Sequence, residues 1–287
     1  MLSYTGLPAI DDPGHRPDIL PAANSGRFQA DPASFQRNSS IQPEAIAPVN
    51  PLVAKLRHFA SLDDGDVAAL DAIAVSAKPY PSGKTLFHEG SVADHVYLFV
   101  QGMACRYKML PSGQRQILGF LIPGDLCDVQ FLALNSPDHS VALLSDSRLV
   151  KIPNRRIYEL LADRPRIKRA LALAGLLEFA VLREWLLNVG QRNALAKLAH
   201  FFCEIKIRLE SVGKVDNDGS FELPVNQLTL ADTTGLTPVH VNRTLQRLRS
   251  DGLIRLCQRR LLILDFERLA VVAGFDGNYL RIRQCQE

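Results

Sequence analysis

The segment that most restricts the fold is GLTPVHVNRTLQRLR, residues 235–249. Gly235 suits a tight turn at positive φ, a conformation that costs a residue without Cβ very little. Thr237 is placed to cap a following helix, and Pro238 fits its first position, where no intrahelical N–H bond is lost. Val241, Leu245 and Leu248 recur at spacings of four and three and define one buried stripe. That leaves His240, Asn242, Arg243, Arg247 and Arg249 directed elsewhere. The preceding residues read as a short first helix, with Asn226 as its cap and Leu230 and Ala231 as its packing face. Beyond Gly252, two apolar runs at 253–257 and 261–264 flank Gln258, Arg259 and Arg260, the pattern of a β-hairpin wing. Two ordinary core helices with solvated arginines are the alternative. Between Pro238 and Ser250, however, three arginines stand without an acid, whereas a solvated helix interleaves signs. The coincidence of cap, glycine, proline, stripe and arginines favours a helix-turn-helix that binds DNA.

A chain of 287 residues has material for about two domains. Its net charge of +3 permits nucleic acid without demanding it, so the local arginine cluster carries the information. The cysteines, Cys105, Cys127, Cys203, Cys257 and Cys285, lie far apart, a spacing that fits neither a disulfide framework nor a metal cage. Free thiols in a reducing cytoplasm are the simplest expectation. The most apolar stretch, residues 169–189, is interrupted by Glu178, Arg183 and Glu184 and is too charged to span a membrane. No basic residue precedes an apolar run at the N-terminus, so no signal peptide is expected.

Residues 1–50 are rich in Pro, Ser, Asn, Asp and Ala without period, and disorder is expected there, whether as a docking tail or a mis-assigned start. Helical patterning follows to about residue 77. From 78 to 153, short β-like runs punctuated by glycine predict a barrel or sandwich. Helices return at 155–161 and from 164 to about 188. In the latter, Ile167, Leu171, Ala174, Glu178, Val181 and Trp185 follow the heptad rhythm of a coiled-coil seam, and Ala170, Leu173, Leu177 and Ala180 form a second stripe. One face would meet the β-domain and another a second copy of the chain, with Leu171, Ala174, Leu177, Val181 and Trp185 as the expected dimer surface; burial inside a monomer is the alternative. A further helix over 190–211 carries Leu195, Leu198, Phe202, Ile205 and Leu209 as its core stripe. The expected division is a disordered 1–50, a sensory β-roll over 51–163, a dimerisation helix over 164–189 and a DNA-binding part over 190–287.

A glycine-punctuated roll, a long helix and a C-terminal winged helix-turn-helix, in that order, resemble the Crp/Fnr family of bacterial transcription regulators over about residues 52–275. LADTTGLTPVHVNRTLQRLRSDGLI is similar to the family's helix-turn-helix signature, and LFHEGSVADHVYLFVQG to its roll. The resemblance implies an α+β fold: an N-terminal cyclic-nucleotide-binding-like β-roll (double-stranded β-helix), a long dimerisation helix and a C-terminal winged helix-turn-helix. It further implies a homodimer on an inverted-repeat operator, with RNA polymerase as a partner. The family's reading positions fall on Val239, Asn242 and Arg243. Arg243 suits a bidentate contact to guanine and Asn242 an adenine edge, while Val239 replaces the usual glutamate and offers only an apolar contact to a thymine methyl. Thr237, Arg247, Arg249 and Arg259 suit phosphates, and His240 shares their face.

Members that bind cyclic nucleotides carry a Gly-Glu-Leu turn and an Arg-Ser/Thr-Ala segment. The corresponding residues here are Gly124, Asp125 and Leu126, then His139, Ser140 and Val141, and an imidazole is a weak replacement for a permanent guanidinium. Cyclic AMP is therefore doubtful as effector, and the cofactor is unknown. Absence of cysteine before Cys105 disfavours an iron–sulfur cluster. Haem is left open through His88, His95, His139 and Cys105 or Cys127, as is thiol oxidation of Cys105 or Cys127. Two other classes remain: a cupin-like metal enzyme, disfavoured because His88 and Glu89 would point to opposite strand faces, and a ligand-binding adaptor without DNA binding. An enzyme is not expected.

Overall fold

The structure is a computed structural model that describes residues 50–127, 129 and 136–280. The extension expected to be disordered lies outside them except for Asn50, whose side chain caps helix α1 (Pro51–Leu56). Helix α2 (Asp64–Ala74) opens with a capping box between Asp63 and Asp66, so the helical region expected up to residue 77 is two helices.

Eight strands follow: β1 (Lys78–Tyr80), β2 (Thr85–Phe87), β3 (His95–Gln101), β4 (Ala104–Met109), β5 (Arg115–Leu121), β6 (Leu126–Cys127), β7 (Ser140–Leu143) and β8 (Ser147–Pro153). They form two antiparallel four-stranded sheets in the orders β1-β8-β3-β6 and β2-β7-β4-β5. Phe87, Tyr97, Phe99, Leu121, Val141 and Leu143 are buried together between them. Successive residues at the end of β5 and just beyond it serve different cores. Leu121 belongs to the roll interior, whereas Phe120 and Ile122 join a cluster shared with the C-terminal part.

Helix α3 (Asn154–Asp163) leads into the long α4 (Pro165–Gln191), and Arg192 and Asn193 connect it to α5 (Ala194–Glu210). The stripe expected on α5 is realised: Leu198, Phe202, Ile205 and Leu209 are buried and Leu195 packs against them. Each fully buried aliphatic or aromatic side chain contributes ~1.5–3 kcal/mol. The C-terminal part continues with β9 (Ser220–Glu222), α6 (Gln227–Thr234), α7 (Pro238–Ser250), β10 (Ile254–Cys257), β11 (Arg260–Ile263), α8 (Phe266–Ala273) and a 3₁₀ turn at Gly277–Leu280. Strands β10, β11 and β9 form one antiparallel sheet. The hairpin β10–β11 is the expected wing. The three-residue β9 has too little pattern to be seen in the sequence.

Candidate nucleic-acid interface and effector region

Asn226 caps α6, its side-chain oxygen accepting from Thr229 N at 2.8 Å, and the helix ends on Gly235 in the left-handed region at φ 68°. Thr237 Oγ1 accepts from His240 N at 3.2 Å, and Pro238 takes the first position of α7. These local choices set the turn between the helices. Val241, Leu245 and Leu248 then fix the roll of α7 about its axis, because all three are buried against α5 and α6.

The opposite face of α7 presents Val239, 71% exposed, with His240, Asn242, Arg243, Gln246, Arg247 and Arg249 also exposed. Among the described residues, the side chains of Arg243 and Asn242 make no hydrogen bond or ion pair. Arg247 lies 3.7 Å from Asp251, and Arg249 reaches Leu256 O at 3.5 Å, which ties it loosely to the wing. Gln258 and Arg259 form the two-residue wing tip at φ 48° and 63°. Neither is glycine, so the tip holds a conformation that side chains rarely adopt, with Arg259 exposed at its end. Arg260 is instead committed to Asp216 and to Ser220 Oγ, stapling the wing to the loop before β9. The sequence brings these residues near one another only through the tertiary fold.

The residues matched to a nucleotide pocket are engaged within the protein. Asp125, 1% exposed, receives Lys55 of α1 on Oδ1, and Ile122 N at 3.0 Å and Arg208 of α5 at 3.4 Å on Oδ2. Burial alone would raise its pKa, but Lys55, Arg208 and the Ile122 amide outweigh it and hold the carboxyl below the usual range. Gly124 is required by packing: its φ is 90°, and a Cβ there would lie 2.5 Å from Pro51 O. His139 is buried with Nδ1 2.8 Å from Asp138, and Ser140 Oγ accepts from Glu89 N at 3.0 Å. Gly124 and Asp125 thus hold α1 and α5 to the roll, a structural role beside the one expected of them in a ligand turn.

Of the residues considered for haem, His88 is exposed, His95 packs edge-on to Tyr97 with its Nδ1 on Asp94, and Cys105 and Cys127 are buried. Among the described residues, no group of three or more His, Cys, Asp or Glu is placed to hold a metal ion. Burial disfavours the alternative of oxidation at Cys105 or Cys127. Both are fully buried, and desolvation pushes the Cys105 thiol up to about 11, away from the reactive thiolate.

The residues expected at the dimer surface are partly or wholly engaged within the protomer. Ala174 and Trp185 are buried in the protomer's own cores, and Leu171, Leu177 and Val181 pack against those cores. Trp185, 6% exposed, donates from Nε1 to Glu204 at 3.0 Å and contacts Phe120. The exposed apolar residues are Leu176, Phe179, Leu182, Leu186 and Leu187. Sequence reasoning also missed the link between roll and reader. Arg115 of β5 bonds Asp232 of α6 at 2.7 Å, and Gln116 donates to Thr233 O at 3.3 Å; no local signal relates residues so far apart.

Comparison with known proteins agrees with this architecture. Residues 77–164 match the cyclic nucleotide-binding domain and residues 196–272 the Crp-like helix-turn-helix domain. The transcriptional activatory protein AadR of Rhodopseudomonas palustris is 31% identical over 199 residues, covering 68% of this chain and 80% of AadR. The chain belongs to the Crp/Fnr family of transcription regulators. The transcriptional activator protein FnrL of Cereibacter sphaeroides is 28% identical over 222 residues, 76% of this chain and 88% of FnrL. The structure of FixK2 from Bradyrhizobium japonicum superposes with a TM-score of 0.62 at 24% identity, covering 70% of this chain and 98% of FixK2, and shows the same fold. The enzyme and adaptor alternatives find no support among these Crp/Fnr relatives. Among the described residues, no helix is long and apolar enough to cross a membrane.

Proposed function

We propose that this Crp/Fnr regulator binds an inverted-repeat operator as a homodimer, with α7 of each copy in successive major grooves about 34 Å apart. The observation that carries the reading is the face of α7, where Arg243 and Asn242 stand exposed and uncommitted above a fully buried stripe. Arg243 reads guanine, Asn242 an adenine edge, and Val239 a thymine methyl. Thr237, His240, Arg247, Arg249 and Arg259 position the protein on phosphates. Residues 51–163 serve as the sensory part, 164–189 as the dimerisation helix and 190–287 as the DNA-binding part. The protein works in the cytoplasm and contacts RNA polymerase, a reading supported by relatives named as transcriptional activators. Asp125 and His139, committed within the protein, support an effector other than cyclic AMP.

Selection of bound sequences from random duplexes yields the half-site. Against that operator, Arg243→Ala should lose ~1–3 kcal/mol of discrimination at one base pair. Arg259→Ala should weaken binding to every duplex and reduce the salt slope by about one. Equal losses on operator and random DNA in both variants would contradict the division of labour.

A further inference from the structure

We propose that the open-sided cavity lined by α1, the β4–β5 hairpin, α4 and α5 binds a small amphipathic organic anion, an apolar chain or ring bearing one carboxylate. Its volume is about 400 Å³, within the usual range for small-molecule sites. Phe59, Leu118, Phe120, Leu177, Val181 and Ile207 supply apolar walls. The cavity is distinct from the roll interior, which Phe87, Tyr97, Phe99, Leu121, Val141 and Leu143 fill, and His139 and Ser140 are not on its walls.

Charge selects the ligand's head. The lining carries three cations, Lys55, Arg106 and Arg208, against two carboxylates, Asp125 and Glu178. Arg106 is paired with Glu178 at 3.3 Å on the side of α4. At the other end Lys55 and Arg208 share Asp125, so two cations face one carboxylate of the lining. Glu204, behind Arg208 at 3.6 Å, is not in the lining and already accepts from Trp185 and Tyr279. Arg208 also donates to Phe120 O at 2.9 Å, yet an ammonium has three N–H groups and a guanidinium five, more than Asp125, Glu204 and that carbonyl accept. A carboxylate reaching this end gains charge-assisted bonds, while its apolar body covers the walls. Inorganic phosphate would satisfy the head and leave the walls wet.

A second observation comes from Gly119. It sits inside β5 and lines the cavity, and a Cβ added there meets no atom within 4 Å. Gly119 pairs with Arg106 beside the irregularity where the β4–β5 register shifts, a place that favours glycine, and the missing side chain leaves that part of the cavity open. That occupancy would affect DNA binding rests on the proposed function, because the cavity joins α5 of the DNA-binding part to α1 and the roll.

Trp185 is the single tryptophan, and its ring lies 5.7 Å from that of the wall residue Phe120. Its fluorescence in the full chain, without DNA, therefore reports occupancy. Titration with decanoate should give a saturable change with one site per chain, at least about tenfold tighter than decanol, equivalent to ~1.4 kcal/mol. Lys55→Met should bring decanoate to the affinity of decanol. Gly119→Leu should abolish both while keeping a cooperative thermal transition; should that variant not fold, Val181→Phe fills the same space from α4. Absence of saturation in the wild-type chain, equal affinity for decanoate and decanol, or undiminished decanoate binding by folded cavity-filling variants would overturn the proposal. Operator binding by ligand-free protein is a separate arm, whose failure bears on the proposed function and leaves the cavity result intact.

Discussion

Asp125 illustrates how a residue type can be legible while its role is not. A Gly-Asp-Leu turn suggests a ligand loop, yet the carboxylate joins α1, the roll and α5 because Lys55 and Arg208 arrive from distant parts of the chain. Removing a buried ionic partner leaves uncompensated charge, so Asp125→Asn should cost ~3–5 kcal/mol, measured by chemical denaturation. The folded carboxyl has a lowered pKa, so its contribution is present above its ordinary value of 3.8 and is lost as pH falls below it. His200 acts higher on the pH scale. It is buried on α5 and stacks on Tyr279, and burial followed by the nearby Arg192 charge lowers its pKa to about 3. A depressed histidine supports the fold above its ordinary value of 6.5 and withdraws that support as pH drops toward 3. His200→Phe, which keeps the ring stack, should flatten the loss of denaturation midpoint between pH 7 and pH 5. An unchanged slope would exclude His200 as its source.

At the scale of the element, the reading helix and the wing were both legible for local reasons. Caps, glycine and the α7 stripe act within a few residues of one another, and each survives in the structure. The wing tip adds something composition does not show. Gln258 and Arg259 both adopt positive φ, where Asn-Gly is the favoured pair for a two-residue hairpin. Gln258→Asn with Arg259→Gly should therefore stabilise the protein by about 1 kcal/mol or more, given the usual cost of such strained residues. The same change should weaken DNA binding through loss of the Arg259 charge. Thermal denaturation and titration against duplex DNA separate the two effects, and a variant that gains both stability and affinity would remove Arg259 from the interface. By contrast, Thr237→Ala should lose about 1 kcal/mol through the cap alone.

For the whole molecule, the deciding question is which side of α4 meets a second copy. The heptad rhythm through Ile167, Ala174 and Trp185 marks the seam that the roll and α5 bury within the protomer. Phe179, 58% exposed, and Leu186, 75% exposed, lie on the face left open. Charged substitution there, Phe179→Glu with Leu186→Glu, should shift sedimentation to a monomer and reduce operator affinity at least about tenfold, since one half-site is then bound at a time. Trp185→Ala should instead destabilise the protomer, by ~3–5 kcal/mol. Retention of the dimer by the double glutamate variant would return the interface to another surface. Sequence alone determined the order of roll, long helix and winged helix-turn-helix, and the outward arginines of α7, because those features arise from periodicity and caps acting over a few residues. Only the tertiary structure decided which seam of α4 is interior, what Asp125 pairs with and how α1 and α5 come to line one cavity. Those outcomes depend on residues tens to more than a hundred positions apart, and side-chain periodicity carries no information about what a helix face or a carboxylate will meet.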